Sequence, residues 1–505
     1  MRGPRGTLGV AAVAVAVSLG VAAPALGAAG AAGAAGAAGA AGGRPAAGLP
    51  PVTLTAAQSD LTVNRTPPMT FVDPGIFAVA HGSPLQFDVR RSSLTAPIRI
   101  TRVIRGPGGL VKEVPLPSSL AAGFRGLRNF AVLTVRDSAG KIVATRHVLF
   151  CPNVFDPQRS GPDSPERSPF PLQGCAFMPF PKSSVWGIQR GWGADVSESA
   201  NTSFRLAIGT YTMTETITAP FRKVLDLPDA TSSATVTVKV VKAPPGQGPG
   251  PVGEGRRHGI SRTLPRLPAV RTMTNPPRAA LPDMVPLPSW GIQLEVKHKK
   301  KGRPAVDHLN FNSTVAIDGN SPLDVQGFRS GTGPELHAFQ YFFLHGKIIG
   351  RAPAGTMLFD NATNEQEWHF QQFARYQLLD ASKNTAVLSH KEAFCIAPTD
   401  AYDLLHPGAL WQPDQFGLGG NCGQATALWV QEQLPLGWAD TYSQSLDGQN
   451  FNVTDLPNGT YYIEVIANPE KVLHETNLNN DVSLRKIILG GTPNHRTLRV
   501  PPFTG

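Results

Sequence analysis

Phe130-Ala-Val-Leu-Thr-Val-Arg136, then Asp137-Ser-Ala-Gly140, then Ile142-Val-Ala-Thr-Arg-His-Val-Leu-Phe150 is the stretch that decides the fold class. Two runs rich in β-branched and aromatic residues flank a short turn of Asp, Ser and Gly, the pattern of a β-hairpin. The same pattern recurs on both sides. Phe87-Asp-Val-Arg, Phe204 to Thr218 and Ala234 to Val241 read as strands. Further on, Leu309 to Ile317, Phe339 to Leu344, Phe373 to Leu379 and Tyr461 to Ile466 do the same. Asp318-Gly-Asn-Ser-Pro322 reads as a turn, and Asn458-Gly459 as a hairpin-type turn. Many short strands between turn signals predict an all-β protein with a β-sandwich-like region in each half.

Composition agrees. Only 16% of the 505 residues are charged, against about 25% in an average domain, while Gly (52) and Pro (47) are abundant. That excludes a coiled coil or a helical bundle. The length predicts two or three domains. Positive charge concentrates in one place. Pro244 to Pro288 contains eleven Pro in 45 residues, and Arg256, Arg257, Arg262, Arg266, Arg271 and Arg278 face only Glu254 and Asp283. Such a stretch buries too little apolar surface to offset its ordering entropy and reads as an extended linker. Lys297-His-Lys-Lys-Lys301 adds a second basic cluster. The charge reads either as solvated linker or as a contact for an anionic cell-envelope polymer. Nucleic acid is a poor partner, because no aromatic-interleaved recognition module accompanies the charge. Trp186-Gly-Ile-Gln189 recurs as Trp290-Gly-Ile-Gln293, an echo that would fit two related domain starts.

The N-terminus predicts export. Arg2 and Arg5 precede an apolar run from Leu8 to Ala23, and Ala25-Leu26-Gly27 offers small residues for cleavage. No other stretch is apolar for long enough to span a bilayer. A Gly-Ala-Ala repeat follows as a spacer. The expected layout is 1–27 signal peptide, 28–49 spacer, 50–243 β-sandwich-like region, 244–285 basic linker, 286–491 C-terminal β domain and 492–505 tail. Four Cys in an exported chain are expected as local pairs, Cys151 with Cys175 and Cys395 with Cys422.

Chemistry concentrates in three segments of the C-terminal half: Glu367-Trp-His-Phe370, Ser389-His-Lys-Glu-Ala-Phe-Cys395 and Trp438-Ala-Asp-Thr-Tyr442. Singly they are bland. His369 beside Trp368 reads as a hydrogen-bonded buried histidine, Lys391 as a surface lysine and Tyr442 as a strand tyrosine. Together, and in order with Phe373-Ala-Arg-Tyr376, Pro457-Asn-Gly459-Thr-Tyr461 and Glu475-Thr-Asn-Leu-Asn-Asn480, they resemble the lysyl oxidase family of secreted copper amine oxidases. The likeness runs from about Leu287 to about Leu489.

The resemblance implies a cofactor, lysyl tyrosylquinone, built from Lys391 and Tyr442. Copper and O₂ would oxidise the phenol ring, and a neutral Lys391 amine would add to it. Neutrality of that amine requires desolvation or a nearby cation. The quinone would then take a primary amine, either peptidyl lysine or a small amine. A base would remove the α-proton, and aldehyde, ammonia and peroxide would leave. Asp440, two residues before Tyr442, would share a strand face with it and is the candidate base.

The copper set departs from the family pattern of three alternate His. Here the run is Glu365-Gln-Glu-Trp-His369, so Glu365 and Glu367 stand where two imidazoles are expected. Carboxylates make a harder site than imidazoles. His390 is a further candidate ligand, with His337 and His345 next in sequence. The competing reading is a non-catalytic envelope-binding protein that retains a degenerate domain.

Overall fold

The hairpin forms. Leu127–Asp137 pairs antiparallel with Ile142–Phe150, with Ala131 opposite Val148 and Val135 opposite Ala144. Phe130, Leu133 and Val135 point inward and are fully buried. This computed structural model describes residues 50–106, 109–198, 200–243, 270–297, 305–330, 333–361, 366–388, 393–413, 422–446 and 448–505. Among them the fold is all-β, with one α-helix, Ala219–Leu225. No helix among the described residues is long and apolar enough to cross a membrane.

In the N-terminal region, the hairpin belongs to a five-stranded sheet. Gly209–Ile217 and Ser233–Lys242 extend it, and Asp60–Arg65 closes it in parallel. Two four-stranded sheets accompany it, and Phe87, Phe130, Trp186, Met213 and Val238 contribute to one core. The C-terminal region is three five-stranded sheets. Two of them build the site. One runs Pro282–Lys297, Val306–Gly319, Trp438–Tyr442, Asp400–Ala401, with Asn450–Asn452 also on Val306–Gly319. The other runs Glu367–Phe370, Lys347–Asp360, Glu335–Leu344, Leu323–Arg329, Trp429–Leu434.

Four expectations need correcting. The run Phe204 to Thr218 is not one strand: Ser203–Phe204 pairs with Thr70–Phe71, and a second strand starts only at Gly209. Asn458-Gly459 is no hairpin turn, because the preceding strand Asn450–Asn452 pairs with Val306–Gly319 instead. A two-residue hairpin turn instead lies at His345-Gly346, between Leu344 and Lys347, with φ of 51° and 74°. Both values are positive, as a type I′ turn requires. Strand structure also begins before residue 286. Pro282–Lys297 is a strand, and Ala280 and Met284 are buried. Its prolines are tolerated because it is an edge strand with a neighbour on one side only. Finally, the Trp-Gly-Ile-Gln echo is not a structural repeat. Trp186 is fully buried in a regular strand, whereas Trp290 sits in a bulged one with Gly291 at φ 59°.

The two β regions are not separate bodies on a tether. Residues 46–243 and 266–505 form one compact unit. Phe170 and Val185 pack into the C-terminal core, while Leu287, Ala316, Tyr402 and Ala439 pack into the N-terminal one. The backbone N–H groups of Lys182 and Ser183 both donate to Tyr402 O (2.7 and 3.0 Å), and Phe177 N–H donates to Asp400 Oδ1 (3.0 Å). The segment from Phe177 to Ser183 therefore covers the edge strand Asp400–Ala401.

Candidate functional site

Trp438–Tyr442 lies inside its sheet, between Val306–Gly319 and Asp400–Ala401. Alternation puts Asp440 and Tyr442 on one face, as expected. Both are buried, and the Tyr442 hydroxyl lies 2.9 Å from Asp440 Oδ2. The hydroxyl also reaches the Cys395 carbonyl oxygen, and the Phe394 ring stands edge-on at 4.6 Å. Burial, then the Asp440 charge, pushes the Tyr442 phenol well above its usual range. Burial pushes Asp440 well up too, against hydrogen bonds from Tyr442 and from Ala397 N–H (3.2 Å), with Glu367 and Asp400 adding repulsion.

Glu367 and His369 occupy alternate positions on Glu367–Phe370, while Trp368 and Phe370 fill the core on the other face. His369 is 3% exposed. Its Nε2 is 3.3 Å from Glu367 Oε1, and its Nδ1 is 3.7 Å from Asp360 Oδ2. Two donors each about 2.0–2.1 Å from one tetrahedral ion stand about 3.3 Å apart. Asp360 faces the far ring nitrogen at ion-pair distance, longer than the hydrogen bond by which a carboxylate usually orients a metal-bound imidazole. The pair thus fits a divalent metal, with a harder donor set than three imidazoles. Glu365, His390 and Lys391 lie outside the described residues. His345 is in the exposed hairpin turn at the start of Lys347–Asp360, roughly 40 Å of strand from Asp360. His337 is exposed on the next strand over, opposite Thr356. Neither joins the site.

Sequence reasoning missed Glu432. It lies on Trp429–Leu434 in phase with buried Val430 and Leu434, so a polar residue in an inward register was the available signal. It is fully buried. Its Oε2 accepts Ile396 N–H at 3.0 Å, and its Oε1 has no partner among the described residues. Burial and the nearby Glu367 and Asp440 raise it well above the carboxylate range. Glu367–Phe370 and Trp429–Leu434 are opposite edges of one sheet, yet the Glu367 charge acts on Glu432, so both edges contribute to the site.

The short segment Phe394 to Ala397 binds these parts together. Phe394 pairs with Phe370, the Cys395 carbonyl takes the Tyr442 hydroxyl, Ile396 holds Glu432 and Ala397 holds Asp440. The Cys395–Cys422 disulfide anchors the segment (Cα–Cα 5.6 Å), and Cys151–Cys175 forms as well (6.0 Å). The Glu367 carboxylate lies within 4.8 Å of both site sulfurs, but these are bonded to each other and offer no thiolate.

A second group of oxygens sits apart. Asn480 Nδ2 donates to Asp283 Oδ2 (3.0 Å), and Asn468 Nδ2 and Met284 N–H donate to Glu475. Asp283 Oδ1, Asn480 Oδ1 and Asp481 Oδ1 are buried without partners among the described residues. Such an all-oxygen set suits a hard cation.

Known proteins resemble the part of the chain that holds the site. The lysyl oxidase family model matches residues 357–496, beginning later than the motif likeness from Leu287. Protein-lysine 6-oxidase of Sus scrofa is 28% identical over 125 residues, 23% of this chain and 44% of that protein. The Gallus gallus protein-lysine 6-oxidase is 29% identical over 126 residues, 23% of this chain and 26% of that protein. Lysyl oxidase homolog 1 of Homo sapiens is 27% identical over 125 residues, 23% of this chain and 19% of that protein. The chain thus spans less than half the length of these relatives. Tyr442, Asp440, His369 and Glu367 all fall in the matched stretch, and the C-terminal region of this chain belongs to the lysyl oxidase family.

Proposed function

We propose that the protein is a secreted copper-dependent amine oxidase that converts primary amines to aldehydes, releasing ammonia and peroxide. Peptidyl lysine and small amines are the substrate classes. The observation that carries the reading is the buried pair of Tyr442 and Asp440, set against the His369–Glu367 edge. Lys391 and Tyr442 would form the lysyl tyrosylquinone. Lys391 precedes Cys395 by four residues, and four residues of chain span at most about 14 Å. Cys395 in turn touches the Tyr442 hydroxyl.

His369 and Glu367 would hold the copper, with Glu365 and His390 as further donors. The metal supplies the redox chemistry that matures Tyr442. The remaining work belongs to the chain. The Cys395 carbonyl and Asp440 fix the phenol, and Phe394 packs edge-on against its ring. Asp440, poised high by burial, would accept the substrate α-proton at a carboxylate oxygen. Residues 1–27 would serve as the export signal, and the basic linker as a contact for anionic envelope polymer.

The test is redox-cycling quinone staining of protein produced with copper, beside Lys391→Ala and Tyr442→Phe. Wild type should stain and neither variant should. An unstained wild type carrying metal would leave the non-catalytic, envelope-binding reading, which the single imidazole among the described site residues favours. Peptide mapping for a Lys391–Tyr442 cross-link is an independent check.

A further inference from the structure

We propose that the N-terminal region binds a divalent cation of the calcium class between Asp73, Asp195 and Glu215. Glu215 lies on Gly209–Ile217 in phase with Tyr211, Met213 and Ile217, all core residues. Its carboxyl is therefore carried to a position that sequence alternation reserves for apolar groups. It is fully buried, its Oε1 accepts the Ser197 hydroxyl, and its Oε2 has no partner among the described residues. An unpaired buried oxygen costs its full desolvation, so a missing ligand explains it better than a structural role.

The neighbours are also oxygens. Asp195 ends the strand Trp192–Asp195, is 9% exposed, and accepts the Ser197 N–H at Oδ1 (2.7 Å). Asp73 lies within hydrogen-bond reach of Asp195 and is itself held by the Gly75 N–H (2.9 Å). Thr202, whose carbonyl accepts the N–H of Val72 beside Asp73, has a second buried, unpartnered oxygen, Oγ1. Glu198 lies at the rim, pinned by the Phe155 N–H (2.8 Å).

Among the described residues, no basic group compensates this charge. The charges that act on Asp195 and Glu215 come from Asp73, Glu198 and Asp195 itself. Burial and this repulsion raise Asp195 to about 7 and Glu215 to about 8, so without a metal the pair competes for protons near neutrality. A cation would displace whatever proton the pair holds. Carboxyl and hydroxyl oxygens, with no imidazole or thiolate, select a hard ion. Donors on three separate segments favour the flexible shell of calcium over the strict octahedron of magnesium. Exposed Asp73 leaves a way in. None of these residues touches the proposed oxidase site.

The experiment is calcium titration calorimetry and thermal melting on the full-length, EGTA-treated protein. It compares wild type with Glu215→Gln, Asp195→Asn and Asp73→Asn, and with Glu475→Gln to mark the separate Asp283 and Glu475 group. Gln is a near-isostere of the protonated Glu215 carboxyl, and Asp73 is exposed, so those two variants should fold. Wild type should bind calcium at about 10⁻⁴ to 10⁻³ M, more tightly than magnesium. Calcium should also raise its melting midpoint by a few degrees. The three N-terminal variants should each bind one ion fewer while Glu475→Gln keeps that ion. Unchanged calcium stoichiometry in Glu215→Gln and Asp73→Asn would overturn the proposal.

Discussion

The two β regions have each built a buried carboxylate with one oxygen left unpaired, Glu215 in one and Glu432 in the other. What surrounds them differs. Around Glu215 the donors are carboxyls and hydroxyls. Around Glu432 stand a carboxylate paired to a phenol, an imidazole and a disulfide-anchored loop. Burying acid raises its proton affinity in both places, so the shift alone does not mark chemistry. The neighbour set does. Oxygen alone suits a hard structural cation, while phenol, imidazole and acid together suit redox and proton transfer.

The sharpest way to break that contrast is Asp440→Asn. If Asp440 is the base, the quinone stain should persist while amine turnover falls by about 10²–10⁴-fold. Turnover within a few-fold of wild type would make Asp440 a packing residue like any other buried acid. Replacing Cys151 and Cys175 by Ala tests the opposite expectation in the N-terminal region. Freeing a loop of that size costs about 3.5 kcal/mol by chain entropy. The melting midpoint should drop with the quinone stain retained, and loss of stain in a folded variant would tie that loop to the proposed oxidase site.

Asp324 offers a third arrangement, acid among amides. It is fully buried and accepts bonds from Gln326, Gln431 and Gln433, and burial still raises it to about 6. Between about pH 4 and 6 the native state then holds a proton that the unfolded chain has lost. Stability should fall as pH rises through that window and level off above it, by on the order of 3 kcal/mol. Asp324→Asn should flatten this part of a pH-dependent melting curve, and an unaltered slope would assign it elsewhere. The smallest effect is expected at the seam. Lys182 and Asp318 pair at 2.5 Å but are 41% and 22% exposed, so Lys182→Ala should cost only about 0.5–1 kcal/mol in denaturant unfolding.

Much of this was legible in the chain. Strand periodicity carried the all-β class, cysteine spacing carried both disulfides, and the two-residue step carried the shared face of Asp440 and Tyr442. The errors have local causes. Pro282, Pro286 and Pro288 read as linker because proline usually breaks strands, and only the sheet shows that this strand is an edge. Asn458-Gly459 has hairpin chemistry, but turn chemistry does not choose a strand's partner. Glu432 was readable from its phase between Val430 and Leu434. The seam was not, since contacts between residues more than two hundred apart leave no local pattern, as with Ser183 and Asp403.

That seam has a consequence for how the molecule would survive cutting. Each half inserts apolar side chains into the other's core, and Phe177 to Ser183 caps a strand next to Trp438–Tyr442. A protease nick between residues 243 and 270 should therefore yield a two-chain protein that co-purifies rather than two free domains. By the same logic, residues 50–243 and 270–505 expressed as separate polypeptides should complement one another, and the C-terminal half alone should be poorly soluble.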